Sequence, residues 1–267
     1  MTTVSVSVHH QVMTITLEGE DTLNSLTPET IQGLNHALDQ AEKDNSLRAV
    51  VVTGSGERAF SVGMDITFLG QCFDDPPGTF LPFLRSYHQT LNRLERLPVP
   101  VIAQVNGLAR AGGFELILAC DLVIVADEAK VGDIHVNFGV PPGAGASQRA
   151  PRKLGDQKAK ALLLTPKWLY GPEMVQWGLA IQSVPRAKLG HAVEGYLSSL
   201  RGSSRVALAI TKSEIHAAQH LELEQGLELE LEYSARFHAE VRDAREGYAA
   251  FVERRQPCWG DDDVKSW

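Results

Sequence analysis

The sequence predicts an α/β fold with a largely parallel sheet, followed by a helical C-terminal region. Three observations carry this reading. In the first half, short apolar runs alternate with stretches of helical period, the pattern of β-α-β units. From about Gly145 onward helical spacing takes over. Apolar residues make up 43% of the 267, close to the globular norm of ~45–50% and enough for a sizeable core.

Val4-Ser-Val-Ser-Val and Met13-Thr-Ile-Thr-Leu alternate at period two, which predicts half-buried strands joined by a turn at His9-His10-Gln11. Thr27-Pro28-Glu29 opens a helix with a capping hydroxyl, a first-turn proline and an acid that complements the dipole. Ile31, Leu34, Leu38 and Ala41 then share one face. Leu47 to Thr53 predicts a buried strand, broken by Gly54-Ser-Gly-Glu-Arg. A second round brings a helix over 80–97, a strand over 99–105, a glycine-rich turn, a short apolar helix over 112–120 and a strand over 122–126. Beyond Gly145, stretches 157–164, 172–178, 187–200, 204–220, 222–240 and 242–254 carry helical spacing. Leu227-Glu-Leu-Glu-Leu-Glu mimics strand alternation, but Leu and Glu are helix formers and β-branched residues are missing, so helix is predicted. The domain reading is a core over 1–200 and a helical region over 201–267.

Lys plus Arg is 25 against 33 Asp plus Glu, a net charge of −8, which argues against a nucleic-acid surface. No basic run tracks phosphates or an anionic bilayer, no N-terminal stretch reads as a secretory signal, and no apolar run approaches the ~18 residues of a membrane span. Cys72, Cys120 and Cys258 are scattered and odd in number, so the expectation is a reducing, cytoplasmic setting without disulfides. Cys120 reads as a core thiol. No metal is expected. His9-His10 and His216 with His220 lack a third ligand nearby, and Asp261 to Asp263 read as a solvated tail.

Three segments carry potential chemistry. In Ala59-Phe-Ser-Val-Gly-Met-Asp65, Gly63 permits close backbone approach to a ligand and leaves the Met64 N–H free to point into a pocket. In Val105-Asn-Gly-Leu-Ala-Arg-Ala-Gly-Gly-Phe-Glu115, a helix starts near Gly112, and first-turn N–H groups have no internal acceptor. Two such groups converging from two loops form an oxyanion site. Glu115 lies one turn into an otherwise apolar helix. It must therefore find a polar cavity or a partner, and desolvation raises its pKa toward a useful acid/base range. The third segment, Lys130 to Gly145, is a Gly/Pro-shaped loop whose titratable groups are Asp133 and His135.

Taken together, these segments resemble the crotonase superfamily, the enoyl-CoA hydratase/isomerase group, over about Val4 to Arg255. The matching stretches are Ala59-Phe-Ser-Val-Gly-Met-Asp, Pro100-Val-Ile-Ala-Gln-Val-Asn-Gly to Gly112-Gly-Phe-Glu-Leu, Cys120-Asp-Leu, Pro142-Gly-Ala-Gly-Ala-Ser-Gln-Arg, Gly178-Leu-Ala and Arg245-Glu-Gly-Tyr-Ala-Ala-Phe. The resemblance implies a spiral of β-β-α repeats with a C-terminal helical trimerisation region, a homo-oligomer (trimer or hexamer) and no cofactor beyond the coenzyme A of the substrate. It implies an acyl-CoA carbonyl held by the Met64 and Gly112 N–H groups, with Ser61, Gly63, Asp65, Phe68, His88, Gly113 and Pro142 around the substrate. Tyr87 and His88 are expected to line the acyl pocket, and Phe68, Phe73 and Phe80 to help close it.

Two departures stand out against that resemblance. The first family glutamate aligns with Glu115, but the second aligns with His135. Imidazole, with a reference pKa of ~6.5, serves as acid or base near neutrality, so hydration of a 2-enoyl thioester by Glu115 and His135 is the first expectation. The alternative is a β-diketone C–C hydrolase using a His-activated water, although that branch carries an acid where this chain has Ala144. Isomerase chemistry or a non-catalytic acyl-CoA binder are further alternatives. The second departure is Gly19-Glu-Asp-Thr-Leu-Asn-Ser, acidic where relatives carry a basic contact to the CoA phosphates. Arg58, Arg254 and Arg255 are the candidate substitutes. Asp133 is a candidate to orient His135 if the loop turns both side chains the same way.

Overall fold

β1 (Thr3–His9) and β2 (Val12–Glu18) pair antiparallel through His10-Gln11, where φ is +47° and +63°. Two consecutive positive φ values make the tight turn whose twist suits a hairpin. The computed structural model describes residues 1–260 and Val264; the Asp261 to Asp263 run lies outside the described residues. α1 (Pro28–Lys43) begins as its sequence requires: Thr27 Oγ1 accepts from the Thr30 N–H at 3.3 Å, and Ile31, Leu34, Leu38 and Ala41 are buried.

The chain then repeats one pattern. A strand of the main sheet, β3 (Ala49–Gly54), is followed by a short strand of a second sheet, β4 (Ala59–Ser61), then by α2 (Ile66–Asp74) and α3 (Leu81–Arg96). The next round is β5 (Val101–Val105), β6 (Leu108–Arg110) and α4 (Gly112–Leu118). The third is β7 (Leu122–Ala126), β8 (Lys130–Gly132), then α5 (Ala146–Leu154) and α6 (Asp156–Leu164). β9 (Leu169–Tyr170), α7 (Gly171–Trp177) and β10 (Gln182–Val184) follow. The result is a spiral of β-β-α turns. The main sheet runs β1-β2-β3-β5-β7-β10 and is parallel from β2 onward. The second runs β4-β6-β8-β9, parallel except at its last pair.

The second sheet departs from the sequence expectation. β6 was expected as a turn, and β4, β8, β9 and β10 were not anticipated. Strands of two or three residues are too short for a period to show. Helix α2 also escaped, because its mostly apolar residues 66–74 have no polar face to mark a period.

α8 (Leu189–Arg201), α9 (Arg205–Ala217), α10 (Leu223–Glu240) and α11 (Arg242–Glu253) complete the chain. The main core gathers buried residues from Val12 to Leu197. A separate small cluster holds Val206, Ala209, Ile210, Val241 and Val264. α10 is a helix despite its Leu-Glu alternation, and none of its residues is fully buried. No described helix is long and apolar enough to cross a membrane. Cys120 is buried, and desolvation pushes its thiol to about 12, which makes it an inert packing group.

Candidate active site

The short second sheet assembles the site. β4, β6 and β8 are adjacent and parallel, so the segments leaving their carboxyl ends emerge side by side. Those segments carry Gly63-Met64, Ala111-Gly112 and Asp133-Ile-His135. Met64, Gly112, Glu115 and His135 all line one cavity of about 900 Å³. This is the crevice beyond strand ends where parallel sheets hold ligands.

Two backbone N–H groups stand at its wall, those of Met64 and Gly112. Gly63 O accepts from the Leu26 N–H at 2.8 Å, and the Asp65 N–H donates to Leu26 O at 2.9 Å. In a parallel bridge of this kind the intervening residue points its own N–H the other way, so Met64 presents it to the cavity. Gly112 is the first residue of α4, and its N–H has no acceptor within the helix. The two loops touch backbone to backbone. A Cβ on Gly63, whose φ is +81°, would lie 2.6 Å from Gly112 N. Tyr87 Oη donates to Gly112 O at 2.7 Å and anchors that peptide. Ala111 is held at φ 47°, ψ −120°, with its N–H donating to Asp133 O at 3.1 Å. Such a backbone outlier persists only where its surroundings over-determine it.

Glu115 is 2% exposed. Its Oε1 accepts from the Ala144 N–H at 2.7 Å and the Ala146 N–H at 3.1 Å. Oε2 is left for the cavity. Burial pushes its pKa above the usual carboxylate value. His135 and the Ala146 and Ala144 N–H groups oppose that rise, and Asp133 adds to it. The Ala144 peptide is itself clamped: Arg149 donates to Ala144 O at 3.0 Å and makes a two-point contact with Glu95.

His135 Nδ1 lies 2.9 Å from Asp133 Oδ1, and the Asp133 side chain is fully buried. Ile134, between them, is in the left-handed region at φ 48°, which folds the two side chains together. Burial disfavours the imidazolium, but Asp133 and Glu115 outweigh it and hold His135 above the ordinary histidine value.

A sequence profile described as enoyl-CoA hydratase/isomerase matches residues 7–262. The chain belongs to the enoyl-CoA hydratase/isomerase family. It is 32% identical over 247 residues to a probable mitochondrial enoyl-CoA hydratase of Dictyostelium discoideum, spanning 92% of this chain and 86% of that protein. It is also 32% identical over 251 residues to a 1,2-epoxyphenylacetyl-CoA isomerase of Escherichia coli, spanning 94% and 95% of the two chains. Among solved structures, an enoyl-CoA hydratase from Bacillus anthracis superposes with a TM-score of 0.92 at 30% identity, covering 97% of this chain and 99% of that one.

Seen as a member of this family, the chain places most of its anticipated residues at the cavity and a few behind it. Asp65 and Pro142 line it, as do Tyr87, Phe73 and Phe80. Asp65 is engaged, accepting from Ser25 Oγ and capping α2 through the Thr67 and Phe68 N–H groups. Ser61, Gly63 and Gly113 stand behind the wall. The Ser61 hydroxyl donates to Asn24 O at 2.8 Å, and a Cβ on Gly113 would lie 2.1 Å from Ser61 O. These residues shape the donor loops and do not meet the cavity. Phe68 is also off the wall, packed on Phe83 at 5.2 Å while Ile66 and Leu69 face inward. His88 is turned away, since successive residues on α3 point about 100° apart and Tyr87 takes the inward direction. Its Nε2 lies 2.8 Å from Gly143 O, and it borders a second hollow near Cys120 and Lys212.

The matching stretch ends on Arg149 but gave it no role, because its contacts are with Glu95 and Ala144, which only folding brings to it. Arg110 was likewise unmarked, yet it lines the cavity. Arg58, Arg254 and Arg255 do not, and Arg255 is paired with Glu246 and Glu253.

Proposed function

We propose that the chain is an enoyl-CoA hydratase-like lyase that adds water to, or removes it from, a 2-enoyl-CoA thioester. The supporting observation is that a buried carboxylate, an Asp-paired imidazole and two outward backbone N–H groups share one cavity. In the hydration direction, the thioester oxygen is seated between the Met64 and Gly112 N–H groups. Glu115, lifted by burial, takes a proton from water as the hydroxyl bonds to C3. The electron pair moves onto the thioester oxygen, where the two donors stabilise the enolate. His135, whose proton Asp133 and Glu115 hold more tightly than an ordinary histidine's, gives a proton to C2. Transfer from Glu115 back to His135 resets the site. Coenzyme A enters as part of the substrate, and no further cofactor takes part. The reading includes a trimeric or hexameric assembly in the cytoplasm. Exposed Leu223, Leu227 and Leu231 along α10 are consistent with a contact between copies.

The test is loss of enone absorbance from crotonyl-CoA, with Glu115→Gln alongside. Turnover by the native chain and a loss of about 10²-fold or more in the variant are expected. Undiminished activity in Glu115→Gln overturns the assignment of the base.

A second reading, hydrolysis of a β-diketone by His135-activated water, is favoured by the same Asp133–His135 contact. It predicts turnover of a free diketone that disappears in His135→Ala, and a diketone panel left intact removes it.

A further inference from the structure

The cavity wall carries a guanidinium that hydration does not use. Arg110 ends β6, lies opposite Gly132 of β8 and precedes Gly112 by two residues. Its guanidinium carbon is 5.7 Å from the Phe138 ring centroid, a cation–π distance. Phe138 closes the single 3-10 turn His135–Phe138, where side chains three apart eclipse, so the ring lies on the same side of the turn as His135. Among the described residues, the Arg110 side chain forms neither an ion pair nor a hydrogen bond. Of the three acids on the wall, Glu115 is committed to Ala144 and Ala146 and Asp65 to Ser25 and α2, while Asp21 forms no ion pair with Arg110. The charges that shift His135 are Asp133 and Glu115, and Arg110 is not among them.

We propose that Arg110 binds a carboxylate on the acyl chain, so that the preferred substrate is the 2-enoyl monothioester of a dicarboxylic acid. The inference rests on the thioester seat proposed above. With the carbonyl between Met64 and Gly112, a cation two residues from Gly112 lies within reach of the acyl group. The long pantetheine arm carries the nucleotide phosphates far from that point. A guanidinium forks onto a carboxylate with two parallel bonds. The cavity wall is largely apolar, with Leu26, Phe83 and Leu84 among its residues. A charged acyl terminus there requires a cation, and a neutral terminus leaves the cation unpaired, so the site discriminates in both directions.

The experiment is calorimetric binding of glutaryl-CoA and butyryl-CoA to the native chain, Arg110→Leu and Arg110→Lys, with hydration of glutaconyl-CoA and crotonyl-CoA followed in parallel. Both ligands carry the same CoA, so phosphate contacts cancel in the ratio of their affinities. The native chain is expected to favour glutaryl-CoA by about ten- to a hundredfold. In Arg110→Leu the ratio falls toward one, and Arg110→Lys keeps part of it. Equal affinities in the native chain, a ratio that survives Arg110→Leu, or equal weakening of both ligands in that variant each overturn the proposal. A native preference lost in Arg110→Leu, with neither enoyl thioester hydrated, supports the carboxylate site while overturning the hydration reading.

Discussion

Replacing Asp133 with Asn isolates the charge behind His135. Asn keeps the side chain's shape and an acceptor oxygen for Nδ1, but it removes the anion. The contact is 2.9 Å between an imidazole at 15% side-chain exposure and a carboxylate at 0%, so solvent screens it little. Asp133 Oδ2 is buried without a hydrogen-bond partner, so the carboxylate's charge is directed largely at His135. A hydrogen bond to a charged group contributes ~1.5–3 kcal/mol against ~1 for a neutral one, so the change removes about 1–2 kcal/mol of preference for the imidazolium, a factor of about 5–30. His135 is held above its ordinary value, with burial opposing and Asp133 and Glu115 prevailing. Without the anion it loses its proton at lower pH. The assay is kcat for crotonyl-CoA hydration across pH. The alkaline limb is expected to move to lower pH, with kcat there down about 5–30-fold and the acid limb, set by Glu115, much less altered. Stability carries the same sign. The folded histidine's extra proton stabilises fully below the ordinary histidine value, and that contribution is lost as pH rises through the raised one. An alkaline limb that stays in place, or a uniform fall at every pH, would refute the orientation and charge argument.

Three further outcomes follow from other contacts. Gly63→Ala drives a Cβ to within 2.6 Å of Gly112 N at a φ of +81°, so kcat is expected to fall by about 10²–10³ as one carbonyl donor shifts, checked by kinetics on protein with native circular dichroism. Tyr87→Phe leaves the buried Gly112 carbonyl without its 2.7 Å donor and should cost about 1–3 kcal/mol, read by denaturant unfolding. Exchanging Leu227 and Leu231, 51% and 65% exposed, for Glu should lower the mass measured by light scattering; an unchanged mass removes α10 from any contact between copies.

The candidate set was legible because its parts obey local rules. Glycines before a helix, a carboxylate on an apolar helix and a histidine in a Gly/Pro loop each announce themselves within a few residues. What lay beyond the sequence was registration. Asp133 meets His135 only because Ile134 takes a left-handed conformation, and no residue pattern forces that on an isoleucine. His88 and Phe68 follow apolar and polar patterns that do not say which way a helix is rotated. Ser61 and Gly113 look like pocket residues from their place in the motif, yet their mutual packing uses up the space.

By itself, then, the sequence determined the alternation of strand and helix, the helical character of α10, the acidic balance of charge, and the chemical identity of Glu115 and His135. These rest on periodicity, composition and side-chain type, which short stretches of chain carry in full. The tertiary structure decided that three short strands lie parallel and adjacent, so that loops from three parts of the chain open onto one cavity. It also decided that Arg110 stands on that wall. Both depend on long-range strand pairing and packing, whose energies belong to pairs of residues far apart in the chain and leave no mark on either one alone.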